Sequence, residues 1–279
     1  MITEWTPARV LITAKTYPAP AKKGVEVSCT GGITAEGNWI RLFPVPFRLL
    51  DQEKQFQKYQ WISVLTGKAP NDRRPESFKL DVDSISIEPG VLSTADAWKA
   101  RKQVVMPLES PSMCWLQANR DAHGSPTLGF FKPKVLRRLI IEPDSRQWTP
   151  AEIARLGQYP LFGKAPEKML EKIPYQFKYE FICDYPGCRG HEMSCLDWEI
   201  RQSYRKWSRQ YGTEWEEKFR QRFEHDMIER LDTHFFVGTL HQFPSTWIIV
   251  GLFYPPKSPE LADSAIESST SIARQVALF

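Results

Sequence analysis

Apolar residues along the first half of the chain come in short runs, at Arg9–Ala14, Val25–Cys29, Asn38–Phe43, Trp61–Leu65, Phe78–Ile87 and Val135–Ile141. The runs are rich in β-branched and aromatic residues and are bounded by Gly, Pro, Asn and Asp clusters, which predicts strands. A small barrel or strongly bent sheet is their natural closure. Two helices are predicted among them, one over Thr94–Val104 and one after Ser110-Pro111, where Ser at the N-cap and Pro at the first helical position form a start signal. From Glu142 to Pro174 the chain is polar and punctuated by proline, with a short helix after Thr149-Pro150, and reads as a connector.

Beyond Pro174 the period changes. Tyr175–Phe181 alternates aromatic and polar residues, predicting a strand with one aromatic face. Ile200, Tyr204, Trp207 and Tyr211 then recur at helical spacing and predict a buried stripe. Gly212 stops this helix, and Thr213 with Glu216 three residues later predicts a capping box for the next. Its core seam is Trp215, Phe219, Phe223, Met227 and Leu231. Two further strands follow, His234–Leu240 and Trp247–Tyr254. The chain is therefore predicted to be α+β: an N-terminal β-barrel-like domain over residues 1–148, a connector over 149–174, a second α+β domain over 175–257 and a flexible, polar tail over 258–279.

One segment carries metal chemistry. Cys183, Cys188, His191 and Cys195 have the spacing Cys-x4-Cys-x2-His-x3-Cys. Thiolates and imidazole within reach of one tetrahedral ion are what zinc prefers, and a closed four-ligand site is structural. Asp184-Tyr185-Pro186-Gly187 is a turn sequence and Gly190 frees the backbone before His191, as wrapping an ion requires. Cys195 is the weakest member, because a helix is predicted to begin there; His225, His234 and His241 are the alternatives for the fourth ligand.

Composition narrows the setting. The 279 residues hold 42% hydrophobic positions and ten tryptophans, enough for a sizeable core. No apolar run approaches the ~20 residues of a membrane span, and the first residues lack the basic and apolar regions of a signal peptide. The expectation is a cytoplasmic protein in which five cysteines stay reduced, so that the cluster is a metal site rather than a disulfide framework. A net charge of +4 is compatible with a nucleic-acid partner without specifying one.

Two arrangements are candidate nucleic-acid contacts. In the strand Asn38–Phe43, alternation places Trp39, Arg41 and Phe43 on one face, a surface on which bases of a single strand can stack. On the helix after the cysteine cluster, Arg201, Arg205 and Arg209 form a stripe that can face phosphates, although such a stripe is commonly just a wet helix face. Asp197 and Glu199, next to Cys195, admit an enzymatic alternative: two carboxylates can hold a catalytic cation or activate water. Acids in a first helical turn also simply oppose the macrodipole.

The stretch Phe177-x-Tyr179-x-Phe181-x-Cys183-x4-Cys188-x-Gly190-His191 followed by Asp197-Trp198-Glu199 resembles a family of uncharacterised bacterial proteins. Trp39-Ile40-Arg41-Leu42-Phe43-Pro44, Leu128-Gly129-Phe130-Phe131-Lys132-Pro133 and Gly251-Leu252-Phe253-Tyr254-Pro255-Pro256-Lys257 resemble the same family. The resemblance implies a bacterial origin. The terminal Gln275-Val276-Ala277-Leu278-Phe279 resembles the bacterial sliding-clamp-binding peptide, with Gln275 at the rim of the clamp pocket and Leu278 and Phe279 filling it. Together these features predict a zinc-containing nucleic-acid-binding protein of bacterial DNA metabolism, whether repair, replication or defence against foreign DNA. Metal-dependent hydrolysis by Asp197 and Glu199, or a scaffold that recruits a partner through its tail, are the alternatives.

Overall fold

The computed structural model describes residues 4–21, 25–69, 71–158 and 168–257. The first seven strands are β1 (Thr6–Lys15), β2 (Ala19–Pro20), β3 (Glu26–Thr34), β4 (Trp39–Val45), β5 (Trp61–Lys68), β6 (Ser77–Leu80) and β7 (Ser86–Ile87). Five of them close a circuit, β1-β3-β4-β6-β5 and back to β1, in which β4 and β6 run parallel and the other pairs antiparallel. This is a small five-stranded barrel of the kind built by OB-type folds. Val10, Ile12, Ile40, Leu42, Ile62, Val64 and Leu80 fill it, and Phe47 and Phe56, from the chain between β4 and β5, close one end.

Two helices follow, α1 (Ala95–Val105) and α2 (Met113–His123). Ser112, rather than Ser110, caps α2, its hydroxyl accepting from the Trp115 N–H. The first turn of α1 is unusual, because Asp96, Ala97 and Trp98 all take left-handed backbone angles. For L-residues that costs about 1–2 kcal/mol each.

The remaining elements are β8 (Leu128–Phe131), β9 (Val135–Pro143), α3 (Pro150–Leu156), β10 (Tyr175–Ile182), β11 (His191–Cys195), α4 (Trp198–Tyr211), α5 (Trp215–Arg220), a π turn (Gln221–His225), α6 (Asp226–Glu229), β12 (His234–Thr239) and β13 (Trp247–Phe253). They form a six-stranded sheet in the order β8-β12-β13-β11-β10-β9. β8 and β9 thus belong to the second sheet, whereas the sequence pattern assigns both regions to the barrel domain. β11 is an unanticipated strand, and it places Cys195 at a strand end instead of a helix start. Nor does the predicted capping box form: a 3-10 turn at Gly212–Glu214 carries the chain directly into α5, leaving no open helix start for Thr213 to cap.

The seam of α5, the π turn and α6 shows why its apolar residues recur every fourth position. In a regular helix a four-residue step overshoots one turn by about 40°. The wider π turn at Gln221–His225 compensates, so Trp215, Phe219, Phe223 and Met227 all stay buried against the sheet.

The opposite face of the sheet packs on the outside of the barrel. Ala14, Ile33 and Trp39 meet Phe130, Phe236, Val250 and Phe253 there. The approach is close at Gly251, where an added Cβ would lie 2.7 Å from the Ala14 Cβ.

Candidate metal centre and interdomain cleft

The chain between β10 and β11 is short and sharply turned, with Gly187 and Gly190 at positive φ. It brings Cys183 at the end of β10, Cys188 in the turn and His191 at the start of β11 to one point. The fourth member is Cys114, from the first turn of α2. The ligand atoms of Cys114, Cys183, Cys188 and His191 all lie within 4.8 Å of one another, a group that can hold a metal ion. Cys114 Sγ is 3.2 Å from His191 Nε2, and the Cys183 N–H donates to Cys188 Sγ over 3.4 Å. The imidazole stacks on Phe181, which fixes its plane.

Electrostatics bear on the same group. Burial, and then the neighbouring Cys188 and Cys183, push the Cys114 thiol up to about 12. Burial also raises Cys183. At Cys188 burial is outweighed by the Cys183 and Gly190 N–H groups, which hold the thiol below its ordinary range. Burial lowers His191 and so favours the neutral imidazole that ligates metals. Three thiols so close together resist joint ionisation unless a cation lies among them.

Cys195 is not a member of this group. It pairs with Phe177 across the sheet, is fully buried in the core, and burial raises its thiol far above the ordinary range. Strand geometry accounts for the exclusion: His191 and Cys195 are the two ends of the five-residue β11, several ångströms of extended chain apart. Nor is His225, His234 or His241 a member. His234 lies against Glu109 and Phe130, and His241 Nε2 meets the Asn71 carbonyl.

Both candidate nucleic-acid faces are otherwise engaged. Alternation in β4 does turn Arg41 away from the barrel interior, but the second domain covers that side. Arg41 is 2% exposed and donates to Ser77 Oγ, Thr127 Oγ1 and the Thr127 carbonyl at 2.7–3.1 Å. Trp39 packs edge-on against Phe236, leaving only Phe43 open, 40% exposed. On α4, Arg201 is half-buried near the Phe177 ring, and its buried Nε has no hydrogen-bond partner among the described residues. Arg205 and Arg209 both pair with Glu171. Gln275, Leu278 and Phe279 lie outside the described residues.

Asp197 and Glu199 lead to a second site. Asp197 caps α4: its Oδ1 accepts from the Glu199 and Ile200 N–H groups, and its Oδ2 from the Leu252 N–H of β13. Lys58, from the barrel domain, sets its ammonium 3.5 Å from Asp197 Oδ2 and 3.2 Å from Glu199 Oε2, and donates to the Leu252 carbonyl at 2.8 Å. Burial alone would lower Lys58, but the two carboxylates keep it charged, well above the usual lysine range. Lys58 therefore occupies the place between the carboxylates that a catalytic divalent ion would need, which speaks against the hydrolase alternative.

These residues form one side of a cleft of about 410 Å³. The barrel domain contributes Lys15, Phe47, Phe56, Tyr59 and Val91, α1 contributes Arg101, and Trp198, at the start of α4, packs edge-on against Phe47. The Lys15 ammonium lies over the rings of Phe47, at 3.2 Å, and Trp198, at 4.4 Å. Arg101 stacks on Tyr59 and Trp98, and among the described residues only its Nε is hydrogen-bonded, to the Leu92 carbonyl. The Tyr59 hydroxyl is buried without a partner among the described residues. Backbone strain gathers here too, since Tyr59 has φ 63° and Trp98, in the left-handed turn of α1, packs on its ring.

Sequence reasoning found three of the four members of the metal group and missed Cys114, which lies 69 residues ahead of Cys183 and has no local partner in the chain. It found Asp197 and Glu199 but not the cleft, whose other residues carry no motif.

Comparison with known families divides the chain as the structure does. Residues 6–107 match the Domain of unknown function (DUF8758), and residues 109–276 match the Domain of unknown function (DUF8757). No curated protein matches the chain. The metal group lies wholly within the second match, while the cleft takes residues from both. The second match covers more than half of the chain, which therefore belongs to the DUF8757 family, with a DUF8758 domain ahead of it.

Proposed function

We propose that the chain binds single-stranded nucleic acid in the cleft between its two domains, while a zinc ion at Cys114, Cys183, Cys188 and His191 holds the second domain in shape. Three thiols and one imidazole in a tight group are a zinc donor set, and four protein ligands leave no open position for chemistry. The observation that carries the binding reading is the cleft lining. It combines the half-buried ring of Trp198 with a guanidinium at Arg101 whose outer nitrogens are unpaired among the described residues, and with the Tyr59 hydroxyl, which has no partner among them either; Phe47 and Phe56 are buried and only back the wall. A ring that takes a base and a cation that takes a phosphate are the two requirements of single-strand binding. The volume suits one nucleotide. The barrel adds an analogy, because OB-type barrels bind oligonucleotides, although here the second sheet covers the outer face of β4.

In this reading the protein acts in bacterial DNA metabolism, and Gln275–Phe279 tethers it to the sliding clamp. Binding of a labelled single-stranded oligonucleotide tests the first part. Affinity should fall steeply with salt, and Trp198→Ala should weaken it by about 1–3 kcal/mol. Absence of binding at low salt, or equal affinity of the folded variant, would return the cleft to a different ligand.

A further inference from the structure

The cleft holds two lysines in opposite situations. Lys58 is bonded to two carboxylates and a carbonyl. Lys15, at the end of β1, has no hydrogen bond or ion pair among the described residues; its amine rests on the faces of Phe47 and Trp198, with Phe56 5.8 Å away. The ring faces attract an ammonium, but removal from water with no oxygen acceptor at hand penalises the charge and favours the neutral form. Burial accordingly brings Lys15 down to about 7, against the pull of Glu199 and Asp197 and with the push of Lys58. A neutral amine is a nucleophile, and lysines desolvated against apolar walls are those that attack carbonyl groups.

We infer that Lys15 is a carbonyl-reactive amine, which condenses with the aldehyde of an anionic ligand seated in the cleft. The lone pair of Nζ forms a bond to the carbonyl carbon, and a nitrogen-bound proton passes to the carbonyl oxygen to give a carbinolamine. Loss of water, made of that oxygen and the two amine hydrogens, leaves a C=N bond. No oxidant or reductant is consumed, and water reverses the reaction. Arg101 is the cation available for the ligand's anionic group. The inference rests on the cleft and not on nucleic acid as its occupant. An aldehyde phosphate can be a free small molecule or a base-free sugar within a strand, and the two share this chemistry.

The test uses the full chain at about pH 7 with cyanoborohydride, which reduces an imine to a stable amine. One arm supplies glycolaldehyde phosphate, the other a single-stranded oligonucleotide with one base-free site. Peptide mapping should place the main adduct on Lys15, and Lys15→Met, shown to be folded by its thermal transition, should lose it. Capture in both arms or in the oligonucleotide arm alone makes the strand a source of the carbonyl; capture in the small-aldehyde arm alone assigns a free metabolite. Each of these supports the inference. Plain oligonucleotide binding, measured without reductant, reports on the nucleic-acid reading separately. Modification of Lys15 no greater than that of exposed lysines such as Lys99 and Lys206 overturns the inference. So does Lys15 labelling that rises with pH only in parallel with theirs, instead of levelling off above about pH 7; this readout needs no variant.

Discussion

The metal group and the cleft are built in opposite ways. Three of the metal group's members come from a nine-residue stretch, Cys183 to His191, and a single helix supplies the fourth. The cleft draws one or a few residues each from β1, from the chain between β4 and β5, from the segment around Val91, from α1 and from the start of α4. The first is a local device that fastens α2 to the β10–β11 turn. The second exists only when both domains are in place. In the proposed reading, support and recognition are thus separated, and each can be disturbed without the other.

The largest effect should come from the metal group. Cys114→Ser or Cys183→Ser should release the ion and lose much of the ~10–16 kcal/mol that a structural zinc site contributes. The loss is read as metal content and as the melting of the second domain. Cys195→Ser should keep its metal, because that thiol lies in the core. If Cys195→Ser loses the ion and Cys114→Ser retains it, the ligand assignment is wrong.

A smaller loss should follow at the contact between the domains. Arg41→Met removes three hydrogen bonds from a buried guanidinium and should cost about 3 kcal/mol, seen as a lower denaturant midpoint with metal content unchanged. A midpoint equal to that of the unaltered chain would show that the covered face of β4 is not an essential contact.

Lys15→Met should act in the other direction and should depend on pH. The amine titrates near 7 in the folded chain but in the ordinary lysine range once unfolded. Between these values the unfolded chain binds the extra proton, so stability rises with pH from about 7 toward 10.5. The variant should lack this rise. It should therefore be more stable than the unaltered chain at and below pH 7, with the gap narrowing in alkali. The smallest effect is expected from Phe43→Ser, which should change stability by no more than about 0.5 kcal/mol and leave oligonucleotide affinity alone, because that ring is outside both sites.

How far the sequence reached follows the same division. Short apolar runs bounded by turn residues revealed most of the barrel, β12 and β13, and alternation revealed β10, because each signal is contained in its own run. β8 and β9 were legible as apolar runs, or as part of a family resemblance, but nothing in them says which sheet they join. Arg41 was placed on the correct side of β4, yet the sheet that covers that side is formed by residues more than 80 positions later. Cys114 failed for the same reason. A lone cysteine after a helix cap has the local signature of an ordinary core residue, and only the fold carries it to the knuckle. Lys15 was invisible, since what distinguishes it is the missing partner.

The measurement that bears most directly on the account is oligonucleotide affinity after negative charge is placed on the rim of the cleft. Gln57 is exposed and Val91 is 36% exposed, and both line the opening without belonging to the metal group. Gln57→Glu with Val91→Glu should leave the thermal transition and metal content unchanged and weaken single-strand binding about tenfold at low salt, a cost of about 1.4 kcal/mol. The difference should shrink as salt is added. Unchanged affinity at low salt, in a chain that binds single strands, would contradict the account and move the nucleic-acid contact away from the cleft.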